Sequence, residues 1–258
     1  MIRNASIERT ALSALVALGM VGAAAADMVS ITGFEEYSAG DQVMFRLPTF
    51  SSSQVDPTPS VAQVAELPPG FGIDGSRALY TSWSFKSTVT DPWLRLTTAG
   101  ASNLPNPTVD FGMGLRFDIY TDRALFVTLG LRETGTTAAI GQNGGTGGAI
   151  EWVGGKTDPS KSPPLGQLAE ANRWTTLEFA IPYEPVKGWV AGGNGVLSSP
   201  TDKGTLEHLA LIANDGAGVY NVYLDNFAQF GVIPEPATAG LVAAGLLLLG
   251  FARRRRRG

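Results

Sequence analysis

The stretch VDFGMGLRFDIY, residues 109–120, decides the fold class. Val109, Phe111, Met113, Leu115, Phe117 and Ile119 recur at every second position. Successive side chains of a strand point to opposite faces, so this period of two predicts a half-buried strand. An amphipathic helix would need its apolar residues three and four apart. Working outward, residues 125–132 (LFVTLGLR), 78–85 (ALYTSWSF), 93–97 and 174–181 (WTTLEFAI) alternate in the same way. Residues 28–34, 43–47, 149–153, 206–213 and 219–227 complete the candidate strands. The Pro- and Ser-rich text at 48–69 and the glycine-rich run at 141–148 read as loops. With no long helical period between 27 and 231, the expectation is an all-β fold, an antiparallel two-sheet β-sandwich. Phe111, Leu115, Phe117, Phe126, Leu129, Leu177, Phe179 and Leu224 are its expected core.

The two ends have a different character. Residues 1–10 carry Arg3 and Arg9, residues 11–21 are almost wholly apolar, and Ala24, Ala25 and Ala26 precede Asp27. A charged start, a short apolar middle and small residues before a cut describe a secretory signal peptide over residues 1–26. At the other end Pro234, Glu235 and Pro236 lead into the uncharged run 237–252, then Arg253, Arg254, Arg255, Arg256 and Arg257. Sixteen helical residues rise roughly 24 Å, and arginines reaching for the headgroups extend that towards the ~30 Å hydrocarbon core. The arginines predict a cytoplasmic C-terminus by the positive-inside rule. The expected organisation is therefore a signal peptide at 1–26, a β-sandwich domain at 27–231, and a membrane-stop segment with a transmembrane helix at 232–258.

Charge narrows the partners. The chain has 19 Lys and Arg against 23 Asp and Glu. Without Arg3, Arg9 and the five terminal arginines, and without Glu8 and Glu235, 12 cations face 21 anions, a net charge of −9. Such a surface repels nucleic acid. It leaves carboxylates for calcium, a hard cation that takes oxygen ligands. There is no cysteine, so a core, with or without a metal, must hold an exported domain together.

Catalytic constellations are scarce. His208 is the one histidine, it lies in an alternating strand, and it reads as structural; no G-x-S-x-G surrounds a serine. A zinc centre lacks nitrogen and sulfur ligands. The run Gly154-Gly155-Lys156-Thr157 has Ile150 where a phosphate loop needs its first glycine. Paired carboxylates serve glycosidases, and Glu151 beside Trp152 is the acid to test first for such chemistry. Sugar binding needs accessible flat rings. Trp83 and Trp174, in alternating strands, read as core, whereas Trp152 and Trp189, beside glycine-rich loops, are the expected platforms.

The C-terminal triplet, apolar run and arginine cluster resemble the PEP-CTERM class of bacterial envelope proteins. That resemblance implies cleavage near Pro234-Glu235-Pro236 by an exosortase-type enzyme, transient membrane anchoring, and transfer to the cell surface or extracellular matrix. The body resembles the galactose-binding-like jelly roll of carbohydrate-binding modules. Phe34-Glu35 is similar to its opening step, residues 115–120 and 125–132 to its adjacent inner strands, residues 174–179 with Pro182 to a recurring step, and residues 222–227 (VYLDNF) to its closing strand. The resemblance implies one structural calcium ion held by Glu35 and Asp225. The function expected is a non-enzymatic surface protein associated with extracellular polysaccharide. The alternatives are a polysaccharide hydrolase using an acid such as Glu151, and a purely structural or adhesive matrix protein.

Overall fold

The computed structural model describes residues 28–156, 161–190 and 192–232. The strands, in chain order, are β1 (Met28–Thr32), β2 (Val55–Glu66), β3 (Arg77–Phe85), β4 (Trp93–Thr97), β5 (Thr108–Asp110), β6 (Met113–Thr121) and β7 (Leu125–Arg132). They continue with β8 (Ile150–Val153), β9 (Gln167–Ala169), β10 (Arg173–Phe179), β11 (Val186–Val190), β12 (Lys203–Ala213) and β13 (Gly218–Gly231). Two short 3-10 turns, Pro48–Phe50 and Ile181–Tyr183, are the helical pieces among the described residues. The first sheet runs β10-β6-β13-β3-β2, with β1 also on β13. The second runs β11-β8-β7-β12-β4, with β5 on β12 and β9 on β7. Every strand pairing is antiparallel. The fold is the antiparallel two-sheet sandwich that the alternation predicts.

The inward faces meet in one apolar core. Phe117 stacks on Phe227 at 4.7 Å between ring centres, and Phe34 meets Phe227 edge-on at 6.2 Å. Phe111, Leu115, Phe117, Leu129, Leu177, Phe179 and Leu224 lie in this core as expected. Phe126 does not: its side chain is on the far face of the second sheet, packed against the cluster of Trp152, Ala210 and Ile212. In β7, Leu125, Val127 and Leu129 point inward, so Phe126 has the outward phase.

The deciding stretch itself is broken. Residues 109–120 form two strands in different sheets, β5 pairing with β12 and β6 with β13, and the chain crosses between sheets at Phe111-Gly112. Because both sheets face the same core, the alternation survives the crossing. Gln229, fully buried, joins the two sheets here, accepting from Asp110 N (2.7 Å) and donating to Asp110 O (2.9 Å). Residues 55–66, expected within a loop, are the long strand β2. It is an edge strand, and Pro57 and Pro59 fall in the irregular stretch between Val55 and Ser60 where its pairing with β3 is interrupted, so the ladder loses no N–H donor there. Residues 43–47, expected as a strand, make only an isolated bridge from Val43 to Asn103, although Val43, Met44 and Phe45 are completely buried. The expected signal peptide and the expected apolar helix at 237–252 lie outside the described residues. Among the described residues no helix is long and apolar enough to cross a membrane.

Candidate functional site

The outward phase of the first sheet carries the most distinctive surface. In β6 the residues between Leu115, Phe117 and Ile119 face away from the core; in β13 the same holds between Val222 and Leu224, and in β3 between Leu79 and Thr81. Register then sets the neighbours: Trp174 opposite Tyr120, Tyr120 opposite Tyr223, Tyr223 opposite Tyr80, and Tyr80 opposite Gln63. Four aromatic rings from β10, β6, β13 and β3 therefore form a row across the strands. Their centres are separated by 5.9, 6.2 and 5.0 Å in that order, within the range of favourable aromatic contact. All four are half-buried, and exposed Gln63 continues the row onto β2.

Polar groups border the rings. Tyr80 Oη donates to Asn221 Oδ1 at 2.7 Å, Ser82 Oγ donates to the same atom at 3.0 Å, and Asn221 Nδ2 donates to Asp122 Oδ2 at 2.6 Å. On the other side, Asp118 accepts from Thr176 Oγ1 (2.5 Å) and Asn226 Nδ2 (2.8 Å).

The loop between β2 and β3, residues 67–76, comes down on this row. Pro68-Pro69-Gly70-Phe71 has the sequence of a type II turn: proline second, glycine third with φ +78°, and a hydrogen bond from Phe71 N to Pro68 O of 2.9 Å. The turn presents the Phe71 ring edge-on to Tyr120 (4.7 Å), Tyr223 (5.4 Å) and Trp174 (5.9 Å). Trp174 Nε1 donates to Phe71 O at 2.5 Å. The loop's far end is held by Glu35: Oε1 accepts from Ser76 N (2.6 Å) and Arg77 N (2.7 Å), and Oε2 from Ser76 Oγ (3.0 Å). A side chain at Gly75 would collide with that carboxylate, which is why glycine stands there.

The expected calcium pair is close enough to interact electrostatically, but its members differ in kind. Asp225 is 1% exposed, and its Oδ2 has no hydrogen-bond partner. Burial pushes its carboxyl up to about 7; the Asn226 N–H opposes this, and the charges of Asp118, Glu35 and Asp74 add to it. Glu35 is exposed. Its slight desolvation raises its pKa, but the Arg77 and Ser76 hydrogen bonds outweigh that and hold it below the ordinary glutamate value. Arg77 Nη1 also donates to the carbonyl oxygens of Glu35 (3.0 Å) and Tyr37 (2.9 Å), bringing a built-in cation to this junction. Asp225 offers a hard cation one oxygen without a hydrogen-bond partner, in the field of the Asp118, Glu35 and Asp74 carboxylates. Glu35 fits less well, because both of its oxygens already accept hydrogen bonds. Among the described residues no group of three His, Cys, Asp or Glu side chains is arranged to hold a metal.

The expected ring platforms lie on the far face of the second sheet, and Trp152 is not accessible. Its exposure is 0%. It sits opposite Gly130 in the register, and the indole lies over the space that a side chain there would fill. Half-buried Trp189 covers it at 4.4 Å, and the Arg95 guanidinium lies 5.2 Å from the Trp189 ring. One indole thus shields the other, so the two are not paired platforms. Glu151 is likewise sealed at 0% exposure, accepting from Asn194 N (2.7 Å) and Gly195 N (3.2 Å). His208 is structural, as expected: it is buried against Thr97, and burial with the charges of Arg95 and Arg132 lowers its pKa to about 3.

Sequence reasoning assigned Trp174 to the core and did not weigh Tyr223. The available signal was phase: Tyr80, Tyr120 and Tyr223 each sit one position out of step with the apolar residues of their strands.

Solved structures similar to this chain include the family 11 carbohydrate-binding module of the cellulosomal cellulase Lic26A-Cel5E of Clostridium thermocellum. It is 14% identical, with a TM-score of 0.47, over 83% of this chain and 100% of the module. A family 30 carbohydrate-binding module is 12% identical, with a TM-score of 0.38, over 82% of this chain and 91% of that one. An exo-beta-agarase is 11% identical, with a TM-score of 0.41, over 80% of this chain and 25% of the agarase. No curated protein matches the chain. Residues 232–257 match the PEP-CTERM protein-sorting motif, so the C-terminal segment of this chain is a sorting signal of that type, as its triplet, apolar run and arginine cluster predict.

Proposed function

We propose that this protein is exported, delivered to the cell surface or extracellular matrix by its C-terminal signal, and binds extracellular polysaccharide there through the outer face of the first sheet. The observation that carries the binding reading is the register-aligned row Trp174, Tyr120, Tyr223 and Tyr80. The C–H face of a pyranose is flat and apolar, and its hydroxyls point outward from the ring edge. Flat amphipathic rings bordered by Asn221, Asp122, Ser82 and Gln63 suit both parts of such a ligand. Tyr and Trp offer this area with few rotamers to freeze. The sorting signal supports the location, with residues 237–252 as a transient membrane anchor and an exosortase-type enzyme cutting near Pro234-Glu235-Pro236.

Binding without cleavage is the reading favoured by the acids on this face. Asp118 is 3% and Asp225 1% exposed, the oxygens of Asp118 are occupied by Thr176 and Asn226, and both oxygens of half-buried Asp122 accept from Asn221. A glycosidase needs two carboxyl groups in contact with its substrate. A calcium ion belongs to the proposal as a structural element. Asp225 would hold it, and its charge would relieve the repulsion among Asp225, Asp118, Glu35 and Asp74.

Affinity electrophoresis in gels containing the producing cell's own extracellular polysaccharide tests the binding reading. The protein should be retarded, and Tyr80→Ala should remove most of the retardation while leaving the circular dichroism unchanged. Free migration of the unaltered protein through every such gel would defeat the reading.

A further inference from the structure

The row of rings is not open along its whole length. Phe71 stands edge-on at 71° to Tyr223, 65° to Tyr120 and 60° to Trp174, with Tyr80 the member of the row that it does not touch. A sugar chain running along the row from Tyr80 would meet this ring at Tyr223, before reaching Tyr120 or Trp174.

The obstruction is built to stay. The Pro-Pro-Gly turn limits the backbone choices of residues 68–71, and proline contributes fixed φ values there. Leu67 N donates to Ser76 O at 2.7 Å, closing the loop at its base. Trp174 Nε1 pins the Phe71 carbonyl, and Glu35 takes three donors from residues 76 and 77. Held at both ends and at its tip, the loop has the anchoring of a wall.

We infer that Phe71 closes one end of the aromatic row, so that the face takes the terminal sugars of a glycan chain and excludes continuous mid-chain segments. This rests on the carbohydrate-binding reading above. Tyr80, the ring that Phe71 does not touch, with Asn221, Asp122 and Gln63 around it, is the stretch left for those terminal sugars. Phe71 is then a specificity-determining residue: it selects chain ends by blocking the path that an interior segment would need.

The number of binding sites per gram of polysaccharide distinguishes ends from interiors. The full chain, purified in detergent, is titrated calorimetrically with the producing cell's extracellular polysaccharide, intact and after partial acid hydrolysis, at equal sugar mass. End recognition predicts that sites per gram rise in proportion to the chain ends created. Phe71→Ala should gain sites on the intact polymer and lose that proportionality, whereas Phe71→Leu, which keeps apolar bulk against the rings, should shift only part of the way. If the unaltered protein binds but its sites per gram do not follow the chain ends, the wall inference fails and the carbohydrate reading stands. If neither polymer sample binds, both fall. The comparison on the unaltered protein decides the matter even where a Phe71 variant does not fold.

Discussion

The indole nitrogen of Trp174, on the edge strand β10, donates a 2.5 Å hydrogen bond to the backbone carbonyl of Phe71, 103 residues earlier in the chain. This contact ties the loop between β2 and β3 to the far side of the first sheet. It makes the aromatic face a joint product of strand register and loop anchoring.

Removing only that donor isolates its contribution. Trp174→Phe keeps a ring in the row but loses the N–H, and a hydrogen bond of this kind contributes about 1 kcal/mol. In a domain of this size the melting temperature should fall by roughly 2–4 °C. Hydrogen exchange at residues 67–76 should quicken. Unchanged exchange in that loop would show that the bond does not anchor it.

Gly70 is the residue on which the turn depends. At φ +78° a side chain is strained, so Gly70→Ala should cost on the order of 1 kcal/mol. Scanning calorimetry should register that loss, and Pro69→Gly should destabilise as well by freeing the unfolded chain. A Gly70→Ala variant as stable as the parent would argue against the turn.

Core and far-face phenylalanines should respond differently. Phe117 is fully buried between Phe179 and Phe227, so Phe117→Ala should cost about 3–5 kcal/mol. Phe126 is half-buried on the outer face of the second sheet, so Phe126→Ala should cost clearly less. Denaturant unfolding of both variants checks the order, and equal losses would contradict it.

His208 predicts a pH dependence with a definite sign. Its ordinary pKa of 6.5 falls to about 3 in the fold, through burial first and then the charges of Arg95 and Arg132. Between those values the unfolded chain binds a proton that the folded chain refuses, so stability declines as pH drops from 6.5 towards 3. The slope from this one group is at most about 1.4 kcal/mol per pH unit. His208→Gln should flatten the acid side of a plot of melting temperature against pH. An unaltered acid slope would mean that other groups cause it.

Calcium removal tests the expected ion. A ligand that binds only the folded state adds roughly 2.7 kcal/mol when free at a hundred times its dissociation constant. A chelator should therefore lower the melting temperature by several degrees, and Asp225→Asn should abolish that sensitivity. In chelator the same variant should melt above the parent near neutral pH, because it removes a buried acid whose ionisation is opposed. A transition that chelator moves by no measurable amount would rule the ion out.

What the sequence by itself determined is what repeats locally. Alternation in residues 115–120, 125–132 and 174–179 dictated strands, because a side chain's face follows from its position along its own strand. It named Leu115, Phe117, Leu129, Leu177 and Phe179 as inward but misplaced Phe126 and Trp174, whose phase is outward. The sorting signal at 232–257 was equally legible, being a contiguous motif. Tertiary structure decided which outward residues become neighbours. Tyr80 and Tyr223 are 143 positions apart, and only the pairing of β3 with β13 brings them to 5.0 Å. A slip of one residue in that register would have turned one of them into the core. The same lateral logic buried Trp152, whose indole had to lie over the empty space at Gly130. It also left the oxygens of Glu35 bonded to Ser76 and Arg77, because a loop whose course no periodicity records delivers those donors.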